Sequence, residues 1–246
     1  MKEVMDWCVK NDHPRSSIFE ERLAKANSLI DKGNELFKND ASLEAKFFYL
    51  AAAYHADFDT SQQVDLTVDH KTQVRNVLIR VLLNIANNFL KLKEFNSARL
   101  ACTIGLDLAK TDKNCPPETT AKFYYRRARA MTALKLYEEA AEDAKKAMEL
   151  VPNDTAVREV YIHAYSEAKR AKAESDNIWK GKHMFSDTPE EVDLPYVELI
   201  LTDNNGNPIE SQTNKGRASS FAVKRNDSVI DTVYQLICCK RKSKVQ

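Results

Sequence analysis

The chain has 246 residues and a formal net charge of +1, a balance that argues against a general nucleic-acid-binding surface. It contains no run of about 18 or more apolar residues, so no membrane span is predicted. Its N-terminus lacks the apolar core of a secretory signal peptide, and its five cysteines are odd in number and not spaced as metal ligands. We therefore expect reduced thiols in a cytoplasmic or nuclear protein.

The N-terminal stretch, residues 1–17, is predicted to be an irregular leader in which only Trp7 could anchor to another part of the chain. Helix-forming residues dominate from there to about Lys180, and the chain has only five glycines, so we predict an all-α fold. Apolar residues recur at helical spacing in six segments, which pair as three repeats at about residues 18–58, 72–110 and 117–151.

Small residues mark the same two places in each repeat. One lies in the first helix, and a second follows twelve positions later in the returning helix; the pairs are Gly33 and Ala45, Ala86 and Ala98, and Ala128 and Ala140. The copies are 53 and 42 residues apart, longer than the period of about 34 residues of tetratricopeptide repeats. Polar stretches at 57–71 and 111–118 account for the surplus, so we predict three stacked tetratricopeptide hairpins with long connections, a right-handed α-solenoid.

A long helix is predicted to close the repeat array. Pro152 ends the third repeat, and Asp154 caps a helix over residues 154–180 whose apolar residues are concentrated near its start. Those residues, Val157, Val160, Tyr161 and Tyr165, are expected to dock on the last repeat and cover its outer face. The repeat domain would then span residues 18–185, and residues 186–246 would form a mostly irregular tail.

The sequence contains no phosphate loop, nucleophile elbow or metal-binding helix motif. Its five histidines are scattered, and we interpret each as a surface histidine or one with satisfied hydrogen bonds. We therefore expect no catalytic residue, no metal and no cofactor, and we predict that the chain is not an enzyme.

Stacked hairpins form a concave groove lined by the first helix of each repeat, and four polar residues are predicted to face it: Asn34, Asn84, Lys122 and Arg126. Lys122 and Arg126 are four residues apart and so share one helix face, and Asn84 occupies in its repeat the place that Arg126 has in the next. Two cations and two amides can hold a pair of carboxylates. From this pattern alone, Lys122 and Arg126 could equally be solvated surface charges.

Residues 20–37, 82–98 and 122–130 resemble the tetratricopeptide domain of FKBP-type immunophilins, which aryl-hydrocarbon-receptor-interacting proteins and the larger cyclophilins share. The resemblance covers residues 19–185. It implies a groove that binds the C-terminal Glu-Glu-Val-Asp of a heat-shock chaperone of the ninety- or seventy-kilodalton class. Asn34, Asn84, Lys122 and Arg126 match the family's carboxylate clamp, in which the cations grip carboxylates and the amides bind the terminal main chain.

Two departures from the family limit this expectation. The first lysine of the clamp lies four residues before Asn34, where this chain has Ile30, so the clamp is expected to be weakened or retuned to another tail. Immunophilins also place an isomerase domain before the repeats, and only about 18 residues precede them here, so no prolyl isomerase activity is expected. An internal Glu-Glu-Val-Asp at residues 190–193 has no terminal carboxylate, and we interpret it as coincidence.

We predict a co-chaperone or adaptor whose groove binds an acidic chaperone tail, with the leader or the tail engaging a second client. The alternative is a scaffold whose altered clamp binds a different peptide or helix, which Ile30 favours. An FKBP-like peptidyl-prolyl isomerase is the third class, and a proline-isomerisation assay would test it.

Overall fold

Eight α-helices and no strand make up the described part of a computed structural model, which comprises residues 2–58, 62, 66–112 and 115–183. The helices are α1 (Lys2–Lys10), α2 (Phe19–Lys38), α3 (Ser42–Ala56), α4 (Val68–Lys91), α5 (Phe95–Thr111), α6 (Pro117–Ala133), α7 (Tyr137–Leu150) and α8 (Thr155–His183). The predicted tail, residues 186–246, lies outside the described residues.

The three predicted repeats are present as helical hairpins: the first is α2 and α3, the second α4 and α5, and the third α6 and α7. The first helices α2, α4 and α6 pack side by side, and each second helix packs against the first helix of its own and of the following hairpin. One boundary differs from the prediction, because α4 begins at Val68 rather than near residue 72. The Thr67 side chain accepts a hydrogen bond from the His70 backbone N–H at 3.1 Å, an N-cap that extends the helix by a turn.

The turns within the hairpins share one backbone conformation. Asp40, Lys93 and Lys135 each lie seven residues after the small residue of the first helix, and their φ angles are 65°, 59° and 63°. This left-handed conformation is the one that ends a helix tightly and that glycine adopts without strain. The three turns therefore follow one design although none of them uses glycine.

The small residues let the two helices of a hairpin approach closely. A Cβ atom on Gly33 would lie 2.7 Å from the Tyr49 ring, a distance that real Cβ contacts do not show. Between the second and third hairpins, a Cβ atom on Gly105 would overlap the buried ring of Phe123. At both places an aromatic ring occupies the space that a methyl group would need.

The second hairpin is tied to both of its neighbours by polar contacts. Towards the first hairpin, the buried Asn88 Nδ2 donates to the Ser42 carbonyl oxygen at 3.0 Å, and Lys46 Nζ pairs with Glu94 Oε1 at 2.8 Å. Towards the third hairpin, Arg127 Nη1 donates to Thr103 Oγ1 at 3.1 Å. These contacts hold the three hairpins in one stack.

The expectation of an irregular leader is wrong for its first part, because residues 2–10 form α1 and this helix packs on α3. Val4 and Cys8 are buried, and the Trp7 ring lies edge-on to Phe48 with their centroids 5.0 Å apart. These three residues form an apolar stripe with spacing i, i+3, i+4. The stripe is the face of α1 that packs on α3. Trp7 does anchor this segment, as predicted.

The helix predicted to cap the third hairpin is α8. Asp154 Oδ1 accepts hydrogen bonds from the backbone N–H groups of Ala156 at 2.9 Å and Val157 at 3.3 Å. Val157 is buried and Ala164 packs with Met131 and Ala140 of the third hairpin. Tyr165, expected to dock, is instead 56% exposed, because it lies next to Ala164 and hence about 100° round the helix. The last part of α8, residues 172–183, belongs to a separate compact unit.

Candidate peptide-binding groove

The first and second hairpins meet in the groove through a pair of asparagines. Asn84 Nδ2 on α4 donates to Asn34 Oδ1 on α2 at 2.9 Å, and the Tyr49 hydroxyl of α3 donates to the same oxygen, also at 2.9 Å. Both lone pairs of that oxygen are thus occupied, which fixes the orientation of the Asn34 amide. Its Nδ2 group makes no hydrogen bond within the described part of the chain and can donate to a ligand.

Tyr49 positions Asn34 from behind. Its side chain is 2% exposed, and burial raises the pKa of Tyr49 to about 12, against the opposing effect of the nearby Arg126. The hydroxyl is therefore protonated at physiological pH and acts as a donor. Gly33 leaves the space for the Tyr49 ring, whose hydroxyl makes the hydrogen bond to Asn34.

Arg126 brings positive charge into the same region from α6. Its Nη1 donates to the carbonyl oxygen of Leu83, the residue that precedes Asn84 on α4. Burial lowers the pKa of the half-buried Arg126, yet a guanidinium keeps its charge in proteins. It has five N–H donors and uses one on Leu83, so a partly desolvated cation lies next to the residue before Asn84 and keeps donors for a ligand.

Lys122 stands at the edge of this group. It lies one helical turn before Arg126 on α6, is exposed, and has no hydrogen bond or ion pair with any described residue. Of the four residues predicted for the clamp, the structure thus joins Asn34 and Asn84 directly, places Arg126 against the same helix as Asn84, and leaves Lys122 beside them in solvent. We call Asn34, Asn84 and Arg126 the clamp row.

The side chain of Ile30 does not face the groove. It is 1% exposed and belongs to the hydrophobic core, so the place of the family's first clamp lysine contributes packing and no charge. The neighbouring lysines do not replace it. Lys32 is paired with Glu35 at 2.8 Å on the surface, and Lys25 lies close enough to Cys8 and His13 to influence their pKa values.

A second row of polar residues lies one turn before the clamp row on α4 and α6 and two turns before it on α2, and sequence reasoning missed most of it. Arg80 on α4 donates through Nη2 to Asn27 Oδ1 on α2 at 3.2 Å. Asn27, Arg80 and Lys122 each stand six residues before the small residue of their first helix. We call these three residues the outer row. The signal was present in the sequence, because Arg80 has the spacing to Ala86 that Lys122 has to Ala128.

His55 departs from the expectation of a surface or satisfied histidine. It is fully buried in α3, and neither of its ring nitrogens has a hydrogen-bond partner. Burial lowers the pKa of His55 to about 4 against the opposing effect of the His13 backbone, and the positive charges of Arg15 and Lys25 add to the lowering. The imidazole is therefore neutral at physiological pH and is part of the packing behind the first hairpin rather than of the groove.

No group of three or more His, Cys, Asp or Glu side chains in the described ranges could hold a metal ion. None of the helices in that part of the chain is long and apolar enough to cross a membrane.

The three-hairpin architecture has a counterpart among solved structures. The C-terminal tetratricopeptide-repeat domain of an FK506-binding protein from Plasmodium falciparum superposes with a TM-score of 0.56 at 26% identity, covering 64% of this chain and 97% of that domain. The fold is a tetratricopeptide-repeat solenoid. The predicted fold class and the predicted resemblance to the repeat domain of FKBP-type proteins are thereby confirmed, and the repeat domain is a protein-binding module.

Two curated relatives each match about two thirds of the chain. The peptidyl-prolyl cis-trans isomerase FKBP42 of Arabidopsis thaliana is 32% identical over 169 residues, which cover 66% of this chain and 43% of the relative. The peptidyl-prolyl cis-trans isomerase CYP7 of Saccharomyces cerevisiae is 24% identical over 156 residues, 63% of this chain and 38% of the relative. The chain thus spans less than half the length of either relative. No family model matches it.

Proposed function

We propose that this protein is a co-chaperone or adaptor whose groove binds the acidic C-terminal tail of a heat-shock chaperone. The observation that carries the proposal is the clamp row, in which Asn34 and Asn84 are hydrogen-bonded to each other and Arg126 is hydrogen-bonded to the carbonyl oxygen of the residue before Asn84, with Lys122 one turn away from Arg126. Arg126 and Lys122 would hold carboxylates through charge-assisted hydrogen bonds, while the asparagine amides would bind the terminal main chain.

Pre-organisation supports this role. The Asn34 amide is oriented by two hydrogen bonds before any ligand arrives, and the Arg126 guanidinium is held against the Leu83 carbonyl. Side chains that are already ordered lose less conformational entropy when a peptide binds. Lys122, which is exposed and unpaired within the described residues, is the more adaptable of the two cations.

Calorimetric titration tests the proposal with an acidic peptide that ends in Glu-Glu-Val-Asp, once with a free and once with an amidated C-terminus. The free peptide is expected to bind and the amidated one to lose at least about tenfold in affinity, because a charge-assisted contact contributes about 1.5–3 kcal/mol. Arg126→Ala and Lys122→Gln should each weaken the free peptide. Thermal unfolding of both variants checks that the fold is intact.

Lys122→Gln is the cleaner of the two variants, since Lys122 makes no described contact whereas Arg126 also bridges to α4. Arg99→Gln supplies a matched control, because Arg99 is an exposed arginine on α5, the second helix of its hairpin. Equal affinities for the free and the amidated peptide would contradict the clamp assignment. A loss of affinity in Arg99→Gln as large as that in Lys122→Gln would contradict it as well.

A second candidate function is a scaffold whose groove binds a different peptide or helix, and the burial of Ile30 is the observation that favours it. A groove without the first clamp lysine has one cation fewer for an acidic tail. This scaffold would bind its ligand through side chains rather than through a free C-terminus, so the amidated peptide again separates the two functions.

A further inference from the structure

The first hairpin has no cation at the place of Ile30, but the second hairpin has an arginine nearby, Arg80. We propose that Arg80 is an additional ligand-binding residue of the groove, which contacts a side-chain carboxylate of the bound acidic peptide. This inference rests on the proposed function, because it concerns the same groove and the same class of ligand. It adds a residue that selects for acidic side chains upstream of the terminal carboxylate.

The first step of the argument is the position of Arg80. It stands one turn before Asn84 on the same face of α4, as Lys122 stands one turn before Arg126 on α6. Since α4 and α6 pack side by side, equivalent positions on the two helices face the same side of the stack. Arg80 and Lys122 therefore form a pair of cations in the outer row, parallel to the clamp row.

The second step is the reach of its side chain. Arg80 Nη2 donates to Asn27 Oδ1, which brings the guanidinium across to α2. Asn27 lies three residues before Ile30, and side chains three apart are neighbours on a helix surface, separated by about 4.5 Å along the axis. The guanidinium is thus within about one helical turn of the place where the buried Ile30 leaves α2 without a charge.

The third step is the charge of Arg80, which the described residues do not neutralise. Its partner Asn27 is a neutral amide, and no described carboxylate lies within ion-pair distance of Arg80. Lys91 on the same helix is, by contrast, paired with Asp40 at 2.6 Å. An exposed guanidinium held by one neutral hydrogen bond keeps further donors available for a bidentate contact with a carboxylate.

The fourth step is the separation of the two rows. Four residues of helix correspond to about 6 Å, and an extended peptide rises about 3.3 Å per residue. A peptide can therefore place its terminal carboxylate on the clamp row while an acidic side chain a few residues upstream lies at the outer row. Two carboxylates bound at once give selectivity that a terminal carboxylate alone does not.

A coupling experiment on the full chain tests this role. Wild type, Arg80→Gln and Arg99→Gln are titrated with the free Glu-Glu-Val-Asp peptide and with versions in which each Glu is replaced by Gln. Arg80→Gln is expected to weaken the parent peptide by about two- to fivefold, as expected for a largely exposed ion pair. That loss should vanish for one of the Gln peptides, while Arg99→Gln binds every peptide as the wild type does.

A second variant tests the same contact from α2. Asn27→Asp places a carboxylate against Arg80, so it is expected to compete with the ligand and weaken binding about as much as Arg80→Gln does, without removing the arginine. Both residues are at the surface, and circular dichroism with thermal unfolding verifies the fold. Binding unchanged in Arg80→Gln, or weakened equally for all peptides, would overturn the proposal.

The outcomes for the two proposals differ. If amidation of the peptide abolishes binding and Arg80→Gln has no effect, the clamp function holds and the role of Arg80 is wrong. If amidation has no effect and Arg80→Gln still couples to one Glu, the clamp function is wrong and the role of Arg80 holds. If the wild type binds none of the peptides, both proposals are overturned.

Discussion

The first hairpin holds its groove side chains with uncharged contacts, whereas the third hairpin is organised by charge. In the first, Asn34 is fixed by the Tyr49 hydroxyl, and Ile30 is in the core. In the third, Arg126 makes a hydrogen bond to the backbone of α4. Arg127 makes a two-point ion pair with Asp143, a residue that is 3% exposed. The same backbone thus supports two different ways of fixing a side chain.

This difference shows which positions of a repeat are constrained. The small residues and the left-handed turns recur in all three hairpins, because they set how closely two helices approach and how tightly the chain reverses. The groove positions vary, since they do not set the distance between the two helices of a hairpin. A tetratricopeptide groove can therefore be neutral at one end and cationic at the other without a change of fold.

The largest effect is expected from breaking the ion pair of the third hairpin. Arg127 Nε and Nη2 reach the two Asp143 oxygens at 2.5 and 2.9 Å, so Asp143→Ala leaves a part-buried guanidinium without its partner. We expect a loss of about 3–5 kcal/mol in the free energy of unfolding, measured with urea.

The exposed pair of Lys32 and Glu35 in the first hairpin provides the control. Glu35→Ala should cost less than about 0.5 kcal/mol, the usual size of a surface pair on a helix. Equal losses in the two variants would mean that the ion pair of the third hairpin contributes no more to the free energy of unfolding than the surface pair of the first.

Low pH should destabilise the first hairpin rather than the third, because His55 lies in α3 and the third hairpin contains no histidine. The pKa of His55 is lowered to about 4 from 6.5, so between these values the unfolded chain binds a proton that the folded chain does not. Stability is therefore full above pH 6.5 and falls as the pH drops towards 4, by about 3 kcal/mol in total.

Urea unfolding at pH 7 and pH 5 measures this dependence, with His55→Phe as the variant that removes the titrating group. The variant is expected to show a flatter loss between the two pH values. His13, whose pKa burial also lowers, contributes in the same direction and remains in both proteins. Identical pH dependence of wild type and variant would show that the pKa of His55 is the same in the folded and the unfolded chain.

Gly33→Ala tests the packing that positions Asn34. The added methyl group meets the Tyr49 ring, so a destabilisation of about 1–3 kcal/mol is expected together with weaker binding of an acidic peptide. The third hairpin has Ala128 at the equivalent position, fully buried, and there Ala128→Gly should cost about 1 kcal/mol. A harmless Gly33→Ala would mean that Tyr49 has room to move and does not orient Asn34.

The smallest effect is expected at the turns. Lys135 in the third hairpin has a φ of 63°, which glycine adopts without strain, so Lys135→Gly should stabilise the protein by about 0.5–1 kcal/mol. Asp40→Gly in the first hairpin should gain less, because aspartate tolerates this conformation and its ion pair with Lys91 is lost. Melting temperatures compare the two variants, and a larger gain at Asp40 would contradict this account.

Most of the fold could be predicted from the sequence, because the spacing of small residues reports directly on helix contacts. The helix α1 could not, since the stripe of Val4, Trp7 and Cys8 is short and is recognisable only against α3. The start of α4 was predicted too late, because the Thr67 cap that marks it is a signal of a single residue.

The groove was predictable only in part. The register of the repeats predicted which residues of the first helices share the groove, and Asn34 and Asn84 do meet. The hydrogen bond from Tyr49 and the reach of Arg80 to Asn27 depend on distances between helices that no local pattern contains. The binding role of the clamp residues stays a prediction until a peptide is titrated.

The second hairpin is the one packed between two others, and this has a consequence for the order in which the protein opens. Each interface couples neighbours only, so fraying can begin at either end of the stack and must spread inward. Amide hydrogens of α4 and α5 should therefore exchange with deuterium most slowly, after those of the outer hairpins. The asparagine and arginine of α4 thus lie on the part of the groove that keeps its shape longest when the ends open.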